Sequence, residues 1–474
     1  MPSASALVAT YASDEGPTCT IDDVGEIPAE KYEGNKTLVG QLTIPSSVTS
    51  IGRFAFWKCS GLTSVTIPSS VTSIGNHAFA GCSGLTSLTI PSSVTYIGVK
   101  VFSWCSGLMS VTIPSSVTSI EESAFDRCRG LTSVTIPSSV TFIGRCAFSG
   151  CSELTSVIIP SSITLIEAGA FNGCSGLTSV TIPSSVTSIG DDAFSGCSRL
   201  TSVTIPSSVT SIGGDAFCGC GGLTSVIIPY SVTSIREYTF LSCCGLTSVT
   251  IPSSVTSIEE SAFKGCSGLT SVTIPSSVTS IEESAFRACS RLTSVTIPSS
   301  VTSIGENAFI RCSGLTSVTI PSSVTSIGER AFKWCSGLTY VVIPSSVTFI
   351  GEDAFDECCS INRVHAPDHI IAQLCGVFAP FDTMASVPAQ HRITPPGTTW
   401  ATAELYLWWS PPQSGGSSAA AYNKNLTSRS RRIMIWTVML CGFQTAEMTE
   451  ILPYIPPEIW NLVFGFVKHT AIPA

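Results

Sequence analysis

The chain has 474 residues, 12% of them charged and 43% hydrophobic, and a formal net charge of −9. Without a large basic block, that charge argues against nucleic acid as a ligand. The longest apolar-rich run, Ile433 to Phe443, falls well short of the roughly 20 residues needed to cross a bilayer, which argues against stable membrane insertion.

Reading from the start, "MPSASALVATYASDEGPTC" has neither a basic beginning nor an apolar core. It does not read as a signal peptide, so residues 1–19 are expected to be a disordered N-terminus and the expected location is cytoplasmic. Next, Val24, Ile27, Tyr32 and Asn35 carry the spacing of Val48, Ile51, Phe56 and Cys59. That spacing predicts a degenerate N-terminal cap, with one extra residue before Val39.

From there one string returns. Pro45 recurs every 23 residues, as Pro68, Pro91 and onward to Pro344, which makes fourteen repeats. A fixed period of this length marks a solenoid. In Leu62–Gly84, "LTSVTIPSSVTSIGNHAFAGCSG", Val65 and Ile67 alternate with Ser64 and Thr66, the period of a strand. Pro68 lacks an N–H and ends the ladder. Val71 and Ile74 predict a second short extended piece. Ala78, Phe79 and Cys82 are spaced as on one helical turn, and Gly84 returns the chain. One repeat cannot bury this apolar face alone, whereas stacked repeats can. The fold class is therefore β-rich α/β: a solenoid of stacked parallel strands over residues 20–376, with one short helical turn per repeat and a small C-terminal helical segment. At about 4.8 Å per coil, the array should be on the order of 65 Å long.

Cysteine numbers 21, and fourteen of these occupy one repeat position, from Cys59 to Cys358. A disulfide or metal framework is one reading. The odd total, the lack of a CxxC pair and the cytoplasmic expectation favour small buried hydrophobes, reduced and repeated with everything else. His365 and His369, near Cys358, Cys359 and Cys375, raise a zinc site, but their spacing is that of no zinc motif, and "APDHIIAQLCG" reads as a capping helix. Serine is tiled identically and His77 is the only histidine within a complete repeat, so no nucleophile, base and orienting group stand apart as an enzyme's would. No cofactor is expected.

The repeats differ mainly beside the Ala-Phe pair. There Glu237, Glu260, Glu283, Glu306, Glu329 and Glu352 occupy one position in six consecutive repeats. Stacked, they form an acidic ridge, a candidate docking surface for a basic partner. The competing reading is a solvated edge neutralised by Lys264, Arg287 and Lys333, four residues after Glu260, Glu283 and Glu329. On the strand face, the Ser column from Ser64 to Ser317 ends at Tyr340, a further candidate contact. The Thr column beginning at Thr66 is broken by Ile158, Ile227 and Val342, which weakens an ice-binding or adhesive alternative.

After the repeats, residues 377–428 read as an irregular aromatic segment and linker, with "PPQSGGSSAAAYNKNLTS" of linker composition. Residues 429–474 predict a helical hairpin, with Pro456 and Pro457 opening its second helix. "LPYIPPEIWNLVFGFVKH" resembles the first helix of an F-box, which implies a substrate adaptor for ubiquitin ligation as the alternative function.

The pattern "LTSVTIPSSVTSIGxxAFxGCSG" resembles the leucine-rich repeat, and more narrowly the BspA-like leucine-rich repeat family, over about Val39 to Pro367. That family is known from bacterial surface proteins and many protist proteins and is associated with adhesion and protein binding. The resemblance implies a non-enzymatic scaffold for an unknown protein partner.

Overall fold

The computed structural model describes residues 8–12, 16–21, 23–361, 363–367, 370 and 403–406. Each 23-residue coil contributes a three-residue strand, such as Ser87–Thr89 or Ser110–Thr112, and a two-residue strand, such as Tyr96–Ile97 or Ser119–Ile120. Both kinds pair in parallel with the same residues of the next coil: Ser110 meets Ser87 and Ser133, and Ile120 meets Ile97 and Ile143. Alternation within the long strand buries its central Val and exposes the Ser and Thr on either side. Proline ends this strand as expected, and its carbonyl accepts the N–H three residues on, as Pro68 does from Val71 at 3.1 Å.

The third side of the coil departs from the expected helical turn. Every second N–H there leaves the coil: those of His77, Phe79 and Gly81 donate to the carbonyls of Val99, Val101 and Ser103 at 3.0, 3.0 and 2.7 Å. The N–H groups between them, of Ala78, Ala80 and Cys82, close three-residue turns onto Gly75, His77 and Phe79. His77 and Gly81 have φ of 59° and 77°, whereas an α-helix keeps φ near −60° and bonds every N–H to the fourth residue back. Helical spacing of Ala78, Phe79 and Cys82 thus arises from a run of turns laddered between coils. This side carries no helix because its donors serve the neighbouring coil.

Within the coils, the repeat positions become columns. Phe56, Phe79 and their successors to Phe355 stack nearly parallel, 5.1–5.8 Å apart. All are buried, as are the Leu and Cys columns and all but Val249, Ile251, Val295 and Ile350 of the Val and Ile columns, in one continuous core. The cysteines do more than fill space. Each thiol from Cys82 to Cys358 donates to the Phe carbonyl 26 residues earlier, at 3.0–3.4 Å. None of the eighteen cysteines from Cys59 to Cys359 is in a disulfide.

At the N-terminal end, Tyr32 continues the aromatic column 5.3 Å from Phe56, and its carbonyl accepts the thiol of Cys59. Its hydroxyl donates to buried Asp23 at 2.7 Å, and Lys31 pairs with the same carboxylate. Val24 does not take the place of Val48. A register shift pairs Gly25 with Val48, and Val24 is 77% exposed. Strands Val8–Ala12 and Gly16–Thr20 form an antiparallel hairpin that adds to the long sheet, in the stretch expected to be disordered. At the other end, strand Arg363–Ala366 pairs in parallel with Tyr340–Val342 and antiparallel with Ala403–Tyr406, which lies within the stretch expected to be irregular. The expected capping helix from Ala366 and the C-terminal helical hairpin with its F-box-like stretch fall almost wholly outside the described residues.

Candidate binding edge

The turn side positions the candidate groups. Just before each Ala-Phe pair, the backbone turns through a left-handed residue, for example Ser261 and Ser284 with φ of 54° and 56°. The residue ahead of it uses its carbonyl in the ladder: those of Glu260, Glu283 and Glu306 accept from Tyr238, Ser261 and Ser284 at 3.0, 2.9 and 2.8 Å. Backbone pairing therefore holds the acidic column in register while the side chains point outward. Glu260, Glu283, Glu306 and Glu352 are exposed, and Glu237 and Glu329 are half-buried.

The ridge has its own partners, and they are not the expected cations. Glu260 accepts from the Tyr238 hydroxyl at 2.5 Å, Glu306 from the Asn307 amide at 3.0 Å, and Glu329 pairs with Arg330 at 2.8 Å. Arg236 bridges Glu237 and Asp191, both at 3.2 Å. Lys333 instead reaches Asp353 and Asp356, at 2.6 and 3.0 Å, and no ion pair joins Lys264 to Glu260 or Arg287 to Glu283 among the described residues. Four-residue pairing needs a helical face, which is absent here. A hydrogen bond with its own backbone amide, helped by Arg236, holds the Glu237 carboxyl below its usual range. The bond to Glu260 raises the Tyr238 phenol.

Tyr340 sits in a four-stranded sheet at the C-terminal end, aligned with Ser317 and Arg363, and is half-buried. It lies on a different side of the coil from the glutamates, so the structure does not gather the candidates into one site. The Ser/Thr face is interrupted by Ile158 and Ile227, 74% and 70% exposed. His365 lies in the last parallel strand, while His369 and Cys375 lie outside the described residues. Among the described residues no three His, Cys, Asp or Glu side chains gather as a metal site. No described helix is long and apolar enough to cross a membrane.

Sequence reasoning missed a cleft of about 560 Å³ on the turn side of the first coils, lined by Trp57, Lys58, His77, Lys100, Trp104 and Asp126 among others. The signal was present: His77 and Lys100 fall in the variable window before the Phe of their coils, and Trp57, Lys58, Trp104 and Asp126 in the one after it. Pattern reading singles out a column of one residue type, whereas the cleft is made of different residues in adjacent coils.

Comparison with known proteins agrees with this geometry. The BspA-type leucine-rich repeat region matches residues 26–155, 142–270 and 256–374. A leucine-rich repeat protein from Bacteroides ovatus is 32% identical, covering 76% of this chain and 92% of its own, with a TM-score of 0.66. A leucine-rich cell surface protein from Faecalibacterium prausnitzii is 28% identical over 76% of this chain and 92% of its own, with a TM-score of 0.39. A leucine-rich repeat protein from Eubacterium ventriosum is 25% identical over 70% of this chain and 93% of its own, with a TM-score of 0.47. No curated protein matches the chain. With its period, its parallel register and its buried Phe and Cys columns running through the matched residues, the chain belongs to the BspA-type leucine-rich repeat family.

Proposed function

We propose that the chain is a non-enzymatic scaffold that binds a protein partner through the irregular side chains of its turn side, foremost the acidic ridge. The observation that carries this reading is the row of six glutamates in adjacent coils, of which only Glu237 and Glu329 form ion pairs among the described residues. The uniform faces offer the same groups in every coil and discriminate poorly. A like-charged row at about 4.8 Å spacing suits a basic protein surface and favours fast, salt-sensitive association. Tyr340 is a secondary contact. Serines tiled in every coil offer no distinct nucleophile, which supports a binding role. The reading places the chain in the reducing cytoplasm, in keeping with its column of buried thiols.

The test is affinity capture by the full chain and by its Glu283→Lys/Glu306→Lys/Glu329→Lys variant, compared at low and high salt. The changes lie on exposed or half-buried side chains, so each should cost less than about 0.5 kcal/mol of stability. Partners held at low salt by the wild type and lost by the variant support the ridge. The same partners held equally by a normally folded variant would refute it.

A further inference from the structure

The cleft among the first coils lies apart from the acidic ridge, and its chemistry differs. It is a notch one coil deep. In the middle coil, the two residues after Phe79 are Ala80 and Gly81, which leave nothing standing above the backbone. In the coil before, the same positions hold Trp57 and Lys58, and in the coil after, Ser103 and Trp104. Trp57 carries the Lys58 ammonium 4.0 Å over its ring, so the open indole of the cleft is that of Trp104. A sugar ring stacks on an open indole face at about 3.5–4 Å.

A second tryptophan at the equivalent position shows what makes the notch. Trp334 follows a coil in which Ile310 and Arg311 replace the small pair, and Arg311 lies 4.6 Å over the indole. There the gap is filled. At Trp104 the stacked cation is Arg127, from the coil beyond, at 4.3 Å. It does not line the cleft, so the indole is braced from behind and is 51% exposed.

Around the indoles the polar groups are mixed. Lys58 and Lys100 supply positive charge. His77 stacks on Phe54 at 4.5 Å, and burial, then Lys100 and Arg53, hold its imidazole below the usual range. Asp126 opposes the lysines and accepts from the Ser103 hydroxyl at 3.5 Å. A ligand that is only anionic, such as an acidic peptide, would meet repulsion from Asp126. A ligand with hydroxyl donors as well as a carboxylate satisfies both sets.

We propose that this notch binds an acidic saccharide, with a sugar ring against the open indole of Trp104, its carboxylate at Lys58 and Lys100, and its hydroxyls at Asp126.

The test is calorimetric titration of the full chain with a galacturonate tetramer, with indole fluorescence as a second readout. Binding is expected, weakened roughly tenfold in Trp104→Ala and abolished in Gly81→Arg. The second variant removes no lining group. It recreates the Ile310–Arg311 filling at a φ of 77° where Arg127 and Arg311 already sit at 56° and 63°, and its new Cβ lies 3.1 Å from Cγ of Lys58 and 3.5 Å from that residue's Cα and N. Circular dichroism checks that both variants fold. No binding of the tetramer, or binding unchanged in folded Gly81→Arg, overturns the proposal. Equal or tighter binding of a hexaglutamate peptide overturns it too and makes an acidic peptide the ligand class.

Discussion

Truncating one ring of the aromatic column tests whether the array is held together coil by coil. Phe286 is fully buried, its ring 5.4 Å from both Phe263 and Phe309, and its carbonyl accepts the Cys312 thiol at 3.2 Å. Phe286→Ala leaves a ring-sized void between two stacked neighbours and should cost roughly 3–5 kcal/mol. Phe286→Leu keeps most of the volume and should cost less than about 1.5 kcal/mol. In a repeat array each coil is stabilised mainly by its neighbours, so the damage should stay local. Hydrogen exchange is the assay. Amides of residues 263–309 should lose protection in Phe286→Ala, while coils near Phe102 keep theirs. Uniform loss along the chain, or a penalty under about 1 kcal/mol, would refute the idea of a nearest-neighbour column.

The thiols give two further predictions. In the native state the exposed Cys244 and Cys359 should react quickly with a thiol reagent, half-buried Cys146 and Cys218 slowly, and the fourteen column cysteines not at all; denaturation without reductant should release most of the 21 in the chain. Release of almost none would mean a disulfide-bonded column and would sink the cytoplasmic reading with it. Burial pushes Cys59 up to about 11 and Cys105, Cys266 and Cys312 up to about 12. The unfolded chain therefore loses thiol protons first as pH rises, and stability should be full below about pH 9 and fall between about 9 and 12; a urea midpoint that stays constant over that range would contradict the burial.

Much of this protein follows from its sequence alone, because a repeat states each contact many times. The period gives parallel stacking, since identical coils bury their apolar columns only in register, and the alternation about Val65 fixes which strand face is buried. The period-2 and proline signals are local and act within one coil. Helical spacing of Ala78, Phe79 and Cys82 misleads because the partners of their N–H groups lie in the next coil, where no local pattern reports them. The same cause undid the expected pairing of Glu260 with Lys264, which needs a helix. The thiol-to-carbonyl ladder is likewise tertiary: Cys82 and Phe56 are 26 residues apart, and only stacking brings the sulfur to the oxygen. The notch between Trp57 and Trp104 depends on three coils differing at adjacent positions, and only their superposition turns an absence of side chain at Ala80 and Gly81 into a site.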